Sequence, residues 1–340
     1  MPGPYWKFRA TSRRKRTGKH GVDGMLGKQK LEEMKACGLN QHVGSDPVTF
    51  RQWKEAFRQR LGVLYEQAEA DSLFYWSVEE ITGISKARLL AEMEQPVPLK
   101  SVPLLKSVLQ RLEKAEPVQY VFGKAFFAGM ELRVGPGVLI PRPETEELFQ
   151  WACESLPLSG HSASARILDL CTGSGALALA LAKTFPDAQV YACDLSSIAL
   201  STAGRNAHDL GLSVRLFQHD VLEGNLPESV VAGGPFQLMV SNPPYVLPSE
   251  KDLMRSNVLD YEPDMALFVD EEDPLAFYRA LARIARAHLA PGGFFLAEIN
   301  ESFPRENKDL LVAAGFEEVE VRHDFRGKHR MVRARMPLFI

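Results

Sequence analysis

At 340 residues, with 45% hydrophobic and 24% charged side chains, the chain has the composition of a folded globular protein and the length for two domains, not that of a disordered chain. Its longest apolar stretch, Ala176 to Ala182, is closed by Lys183 and falls far short of the roughly 20 residues that cross a bilayer. Its four cysteines (Cys37, Cys153, Cys171, Cys193) form no Cys-x-x-Cys pair, which argues against a zinc cluster or a disulfide framework and fits a reducing, cytoplasmic setting. The net charge of -3 hides ten Lys/Arg against three Asp/Glu in residues 1–45, so the remainder stands at -10, a poor balance for gripping a phosphate backbone and one that makes direct nucleic-acid binding unexpected.

Residues 1–45, with Arg13-Arg14-Lys15-Arg16 and little apolar periodicity, read as a basic, disordered extension rather than a nucleic-acid arm or transit peptide. From Asp46 or Thr49, either of which can cap a helix, the apolar residues Phe50, Trp53, Phe57, Leu61 and Leu64 recur every three or four positions and make one stripe. A second helix runs through Leu73, Trp76 and Ile81 to a Gly83 stop. A third follows Ser85, and a fourth carries Leu104, Leu105, Val108 and Leu112. This gives a helical domain over 46–115, its aromatics serving as core. Between Gln119 and Ile140 the helical period disappears, and β-prone pieces broken by glycines predict a hairpin linker over 116–140.

From 141 onward, apolar β-branched runs alternate with helical patterns to the C-terminus, the signature of an open α/β sheet. Arg166-Ile167-Leu168-Asp169-Leu170 reads as a buried strand, turned into the helix of Ala176 to Lys183 by Cys171, Thr172, Gly173, Ser174 and Gly175. Missing β-carbons at Gly173 and Gly175 let a ligand approach the backbone. A second strand, Gln189 to Asp194, ends in a carboxylate able to accept from both hydroxyls of a ribose, and Asp220 follows the next strand, where an adenine would lie. Asp169 either touches the cofactor or braces the turn from beneath. Gly173-x-Gly175-x-x-Ala178 also satisfies the dinucleotide fingerprint, so at this point a nicotinamide enzyme stays open.

The discriminating signal is Ser241-Asn242-Pro243-Pro244-Tyr245, at the end of the strand Phe236 to Val240. Two prolines remove two backbone donors, so the loop presents mainly acceptors. The Asn242 side-chain oxygen and the Pro243 carbonyl can hold both hydrogens of one NH2 group, and Tyr245 offers an aromatic face. Such a pocket aims a weakly nucleophilic nitrogen at an electrophilic methyl. An Asn-Pro-Pro-Tyr turn of no chemical consequence is the bland alternative, and a catalytically silent binding module stays possible.

Taken together with Pro117-Val118-Gln119-Tyr120, Ile140-Pro141-Arg142-Pro143-Glu144-Thr145-Glu146 and Tyr261-Glu262-Pro263, these motifs resemble the HemK/PrmC family of peptide-chain release factor protein-(glutamine-N5) methyltransferases over roughly residues 50 to 335. The resemblance implies an α/β fold: a seven-stranded class I S-adenosylmethionine-dependent methyltransferase (Rossmann-like) sheet over 141–340, a small N-terminal helical domain that helps recognise the release factor, and a β-hairpin linker. It implies S-adenosyl-L-methionine held by residues 171–175, Asp194, Asp220, Val221 and Asn242. The glutamine amide would be oriented by Asn242, Pro243, Pro244 and Tyr245, with Arg142 either touching substrate or pinning the linker. Asn-Pro-Pro-Tyr alone is shared with adenine-N6 methyltransferases. This sequence departs from the family pattern at Cys171, where glycine is usual, and at Phe268 to Pro274, to which no role is assigned.

Overall fold

The computed structural model describes residues 48–156 and 165–338. The basic extension and Asp46 lie outside them. The chain divides into two compact units, one ending at Glu113 and the other beginning at Lys114.

The first unit is helical. Thr49 caps helix Phe50–Leu61 in a reciprocal box with Gln52, and Gly83, at φ +73°, ends helix Gln67–Thr82 in the left-handed turn that glycine adopts without strain. Ser85 caps Lys86–Ala91, and Val102–Leu112 completes the unit. Phe50, Trp53, Phe57 and Leu61 are buried, and Phe57 meets Phe74 edge-on with ring centroids 5.5 Å apart. The expected stripes hold with two corrections. Helix Phe50–Leu61 stops before Leu64, which is exposed, and Leu104 faces outward because Leu105, Val108, Leu109 and Leu112 form the buried stripe.

The second unit opens with helix Val118–Phe122, where the sequence suggested only strand. Five residues are too few for a helical period to show. Strands β1 (Lys124–Phe127) and β2 (Met130–Arg133) then pair antiparallel through Ala128 and Gly129, both at positive φ, the geometry of a two-residue hairpin turn.

The remaining strands form one seven-stranded sheet: β3 (Arg166–Leu170), β4 (Gln189–Asp194), β5 (Arg215–Gln218), β6 (Phe236–Ser241), β7 (Leu289–Glu298), β8 (Glu317–His323) and β9 (His329–Arg335). Their spatial order is β5-β4-β3-β6-β7-β9-β8, parallel up to β7, with β9 antiparallel to both neighbours. This is the class I methyltransferase arrangement expected. All five residues of β3 are buried because both sheet faces are covered. Helices Pro143–Ser155 and Ala176–Thr184 pack on one face, and Ala276–His288 and Pro304–Ala313 on the other. Successive strands run outward from β3 in one direction and from β6 in the other, so a crevice opens at the carboxyl ends where these two meet. Among the described residues, no helix is long and apolar enough to cross a membrane.

Candidate active site

Strand register brings the chemistry together. Leu170 of β3 lies opposite both Cys193 and Ser241, and Ser241 lies opposite Ala297, so the segments leaving β3, β4, β6 and β7 emerge level. A single cavity over these ends is walled by Thr145, the elbow residues 171–174, Asp194, Asp220, Val221, Asn242 and Pro244.

The elbow is braced from two sides. Asp169, fully buried, accepts from the Thr172 hydroxyl at 2.6 Å and from the Ala178 amide at 3.1 Å; of its two expected roles, this is the brace. Burial pushes its carboxyl up to about 7, and its second oxygen finds no hydrogen-bond partner among the described residues. From the other side, Asp194 accepts from the Gly173 amide at 2.8 Å and the Ser196 amide at 2.9 Å while still facing the cavity. Burial raises this carboxyl too, against the opposing pull of those amides.

The two glycines divide their work. A β-carbon on Gly173 would meet nothing within 4 Å, so its backbone stands open to the cavity. Gly175 does not line the cavity. A β-carbon there would press on Ala203 and Leu179 at 3.1 Å, so this glycine serves the packing of helices Ala176–Thr184 and Ser197–Leu210, not ligand approach as expected. Cys171 sits at φ +63°, a left-handed conformation that costs a side-chain-bearing residue about 1–2 kcal/mol. Burial, with Asp194, Cys193 and Asp169 adding to it, holds its thiol protonated. Asp220 and Val221 line the cavity wall, and Asp220 accepts from the Leu222 amide at 2.9 Å.

The Asn-Pro-Pro-Tyr loop is fixed at both ends. The Ser241 hydroxyl donates to the Leu170 carbonyl at 2.7 Å. Beyond the prolines, the Tyr245 and Val246 amides donate to the Leu267 carbonyl, and the Val269 amide to the Val246 carbonyl. The Phe268 to Pro274 segment, assigned no role from sequence, thus clamps the loop through Val269. Asn242 donates from Nδ2 to Thr145 Oγ1 at 3.3 Å, which leaves its oxygen as the group offered to the cavity. Pro243 is buried and Pro244 lines the wall. Tyr245 departs from expectation. Its ring is not on the wall, because its hydroxyl donates inward to Glu298 at 3.2 Å and its carbonyl accepts from Asn300 at 2.9 Å.

Arg142 also lies off the wall. It pairs with Glu262, whose other oxygen accepts from the Ile140 amide at 3.0 Å, so Tyr261-Glu262-Pro263 pins the Ile-Pro-Arg-Pro segment in place, the structural one of Arg142's two expected roles. Sequence reasoning missed Thr145, Glu262, Glu298 and Asn300. Glu298 was findable, being a carboxylate at the end of β7 just as Asp194 is at the end of β4.

The family described as PrmC N-terminal domain matches residues 50–123, and the Methyltransferase small domain matches residues 153–259. A release factor glutamine methyltransferase of Flavobacterium psychrophilum is 35% identical over 289 residues, covering 84% of this chain and 99% of that protein. The chain belongs to the release factor glutamine methyltransferase family. A second member, from Bacteroides thetaiotaomicron, is 42% identical over 230 residues, covering 68% of this chain and 80% of its own. Among solved structures, a release factor-specific protein-(glutamine-N5) methyltransferase from Alicyclobacillus acidocaldarius is 26% identical, with a TM-score of 0.36, covering 60% of this chain and 99% of that one. Family membership removes the nicotinamide reading that Gly173-x-Gly175-x-x-Ala178 had left open.

Proposed function

We propose that this chain transfers a methyl group from S-adenosylmethionine to the side-chain nitrogen of the glutamine in the Gly-Gly-Gln motif of a class I peptide-chain release factor, in the cytoplasm, releasing S-adenosylhomocysteine. The observation that carries this reading is the Asn242 amide. Its nitrogen is engaged by Thr145, and its oxygen is left to accept from a substrate NH2 beside the glycine elbow.

The cavity suits the cofactor. Gly173 leaves the backbone open to it, Asp194 keeps lone pairs for ribose hydroxyls, and the buried Val221 supplies an apolar wall for a base beside Asp220. When bound, S-adenosylmethionine supplies an electrophilic methyl on a sulfonium. The protein's part is orientation: Asn242 Oδ1 and the Pro243 carbonyl accept the two hydrogens of the glutamine amide, and the prolines bring no competing N–H. Such alignment is worth up to roughly 7–11 kcal/mol when complete. No general base is assigned, and the proton leaves to water after transfer.

The same pocket would suit an adenine amino group. The acidic body and the match to the PrmC N-terminal domain favour a protein substrate, with the helical unit as its recognition element. To test this, the protein is incubated with methyl-labelled S-adenosylmethionine and a release factor, and the label is mapped by mass spectrometry. Label on the Gly-Gly-Gln glutamine is expected. Label on nucleic acid alone would overturn the proposal.

A further inference from the structure

Behind the cavity wall, Asn242, Thr145, Glu298 and Tyr245 form a connected chain of side chains. Asn242 Nδ2 meets Thr145 Oγ1, Thr145 Oγ1 meets Glu298 Oε1, and Glu298 Oε2 meets the Tyr245 hydroxyl. The carboxylate comes from the end of β7, the threonine from helix Pro143–Ser155, and Asn242 and Tyr245 from the loop after β6. Glu298 is fully buried. Building on the proposed glutamine methylation, we infer that Thr145 and Glu298 are positioning residues: the ionised carboxylate makes the chain run one way, which turns the Asn242 oxygen to the cavity, and protonating Glu298 reverses it.

A threonine hydroxyl has one proton to donate. An ionised Glu298 only accepts, so Thr145 donates to it and in turn accepts from Asn242 Nδ2. A neutral Glu298 donates to Thr145, and the hydroxyl proton is then free for Asn242. The asparagine amide turns over to accept it and shows its NH2 to the cavity, where a substrate NH2 has nothing to bond. Arg330 of β9 faces Glu298 and favours its charge, while Glu144, one residue before Thr145, opposes it. Tyr278 of helix Ala276–His288 and Tyr245 stand on its other sides, and Arg142 faces Tyr245. Arg330 is itself shared with Asp324 at 3.3 Å. Burial outweighs the rest and pushes the Glu298 carboxyl up to about 7.

The test uses the full chain with Thr145→Val, Thr145→Ser and Glu298→Gln. Nitrogen-15 NMR of asparagine-labelled protein without cofactor follows the Asn242 side-chain amide, assigned by its loss in Asn242→Ala. In the wild type and Thr145→Ser it should titrate with a midpoint near 7. In Thr145→Val and Glu298→Gln it should not titrate. In turnover, Thr145→Val should lose about 10- to 100-fold in kcat, with KM for S-adenosylmethionine within about twofold. It should also lose the rise of kcat with pH, and Thr145→Ser should restore both. Should Thr145→Val fail to fold, Glu298→Gln reads the same titration. An Asn242 resonance that titrates alike in all variants, or none in the wild type, overturns the inference. A wild type that titrates but methylates no release factor overturns the glutamine reading and leaves the hydrogen-bond chain standing.

Discussion

Both oxygens of Asp194 already accept amide protons, from Gly173 and Ser196, so this carboxylate shapes the elbow before any ribose reaches it. Replacing it with alanine frees the Gly173 amide and, on the proposed assignment, removes the ribose acceptor as well. Each charge-assisted bond is worth on the order of 1.5–3 kcal/mol, so Asp194→Ala should weaken S-adenosylmethionine binding at least about tenfold by calorimetry, and unchanged affinity would contradict the assignment. The place of Asp194 on the cavity was legible because the carboxyl end of a parallel strand faces the crevice. The partner of Tyr245 was not legible, because an aromatic in a loop gives no sign from sequence of which way its hydroxyl points, and here a buried glutamate captures it.

Strands and their ends were the most legible part of the chain. The continuous apolar runs of β3, β4 and β6 announced a sheet covered on both faces, and the glycine and proline punctuation after them marked the cavity. Helix Val118–Phe122 escaped because one and a half turns leave no period. The Leu267 to Val269 clamp escaped for a different reason: its work is done by backbone amides and carbonyls, which every residue carries. Thr145 and Glu298 are 153 positions apart, and only the side-by-side placement of helix Pro143–Ser155 and β7 makes them partners.

Among the described residues, the second unit holds two fully buried carboxylates, Asp169 and Glu298, each pushed up to about 7. Their folded-state values lie above the unfolded ones, so each adds stability that is complete below about pH 4 and is lost as pH rises to 7. His219 and His288, lowered by burial, act in the opposite sense, gaining as pH rises through the ordinary histidine range. Comparison with Asp169→Asn separates the two effects. The asparagine oxygen can still accept from Thr172 and Ala178, and the variant has no charging penalty, so by denaturant unfolding its stability relative to wild type should climb between pH 4 and 7 and level off above. A difference flat with pH would show that Asp169 charges within the fold as readily as in the unfolded chain.

On the proposed reading, the Asn242 oxygen meets the substrate while the elbow holds the cofactor. Asn242→Ala, assayed for S-adenosylmethionine affinity by calorimetry and for single-turnover methyl transfer to a release factor, separates these functions in one protein. Transfer should fall by two orders of magnitude or more, on the order of what loss of a positioning group costs, with affinity for the cofactor nearly intact. Turnover equal to wild type would contradict the account at its centre.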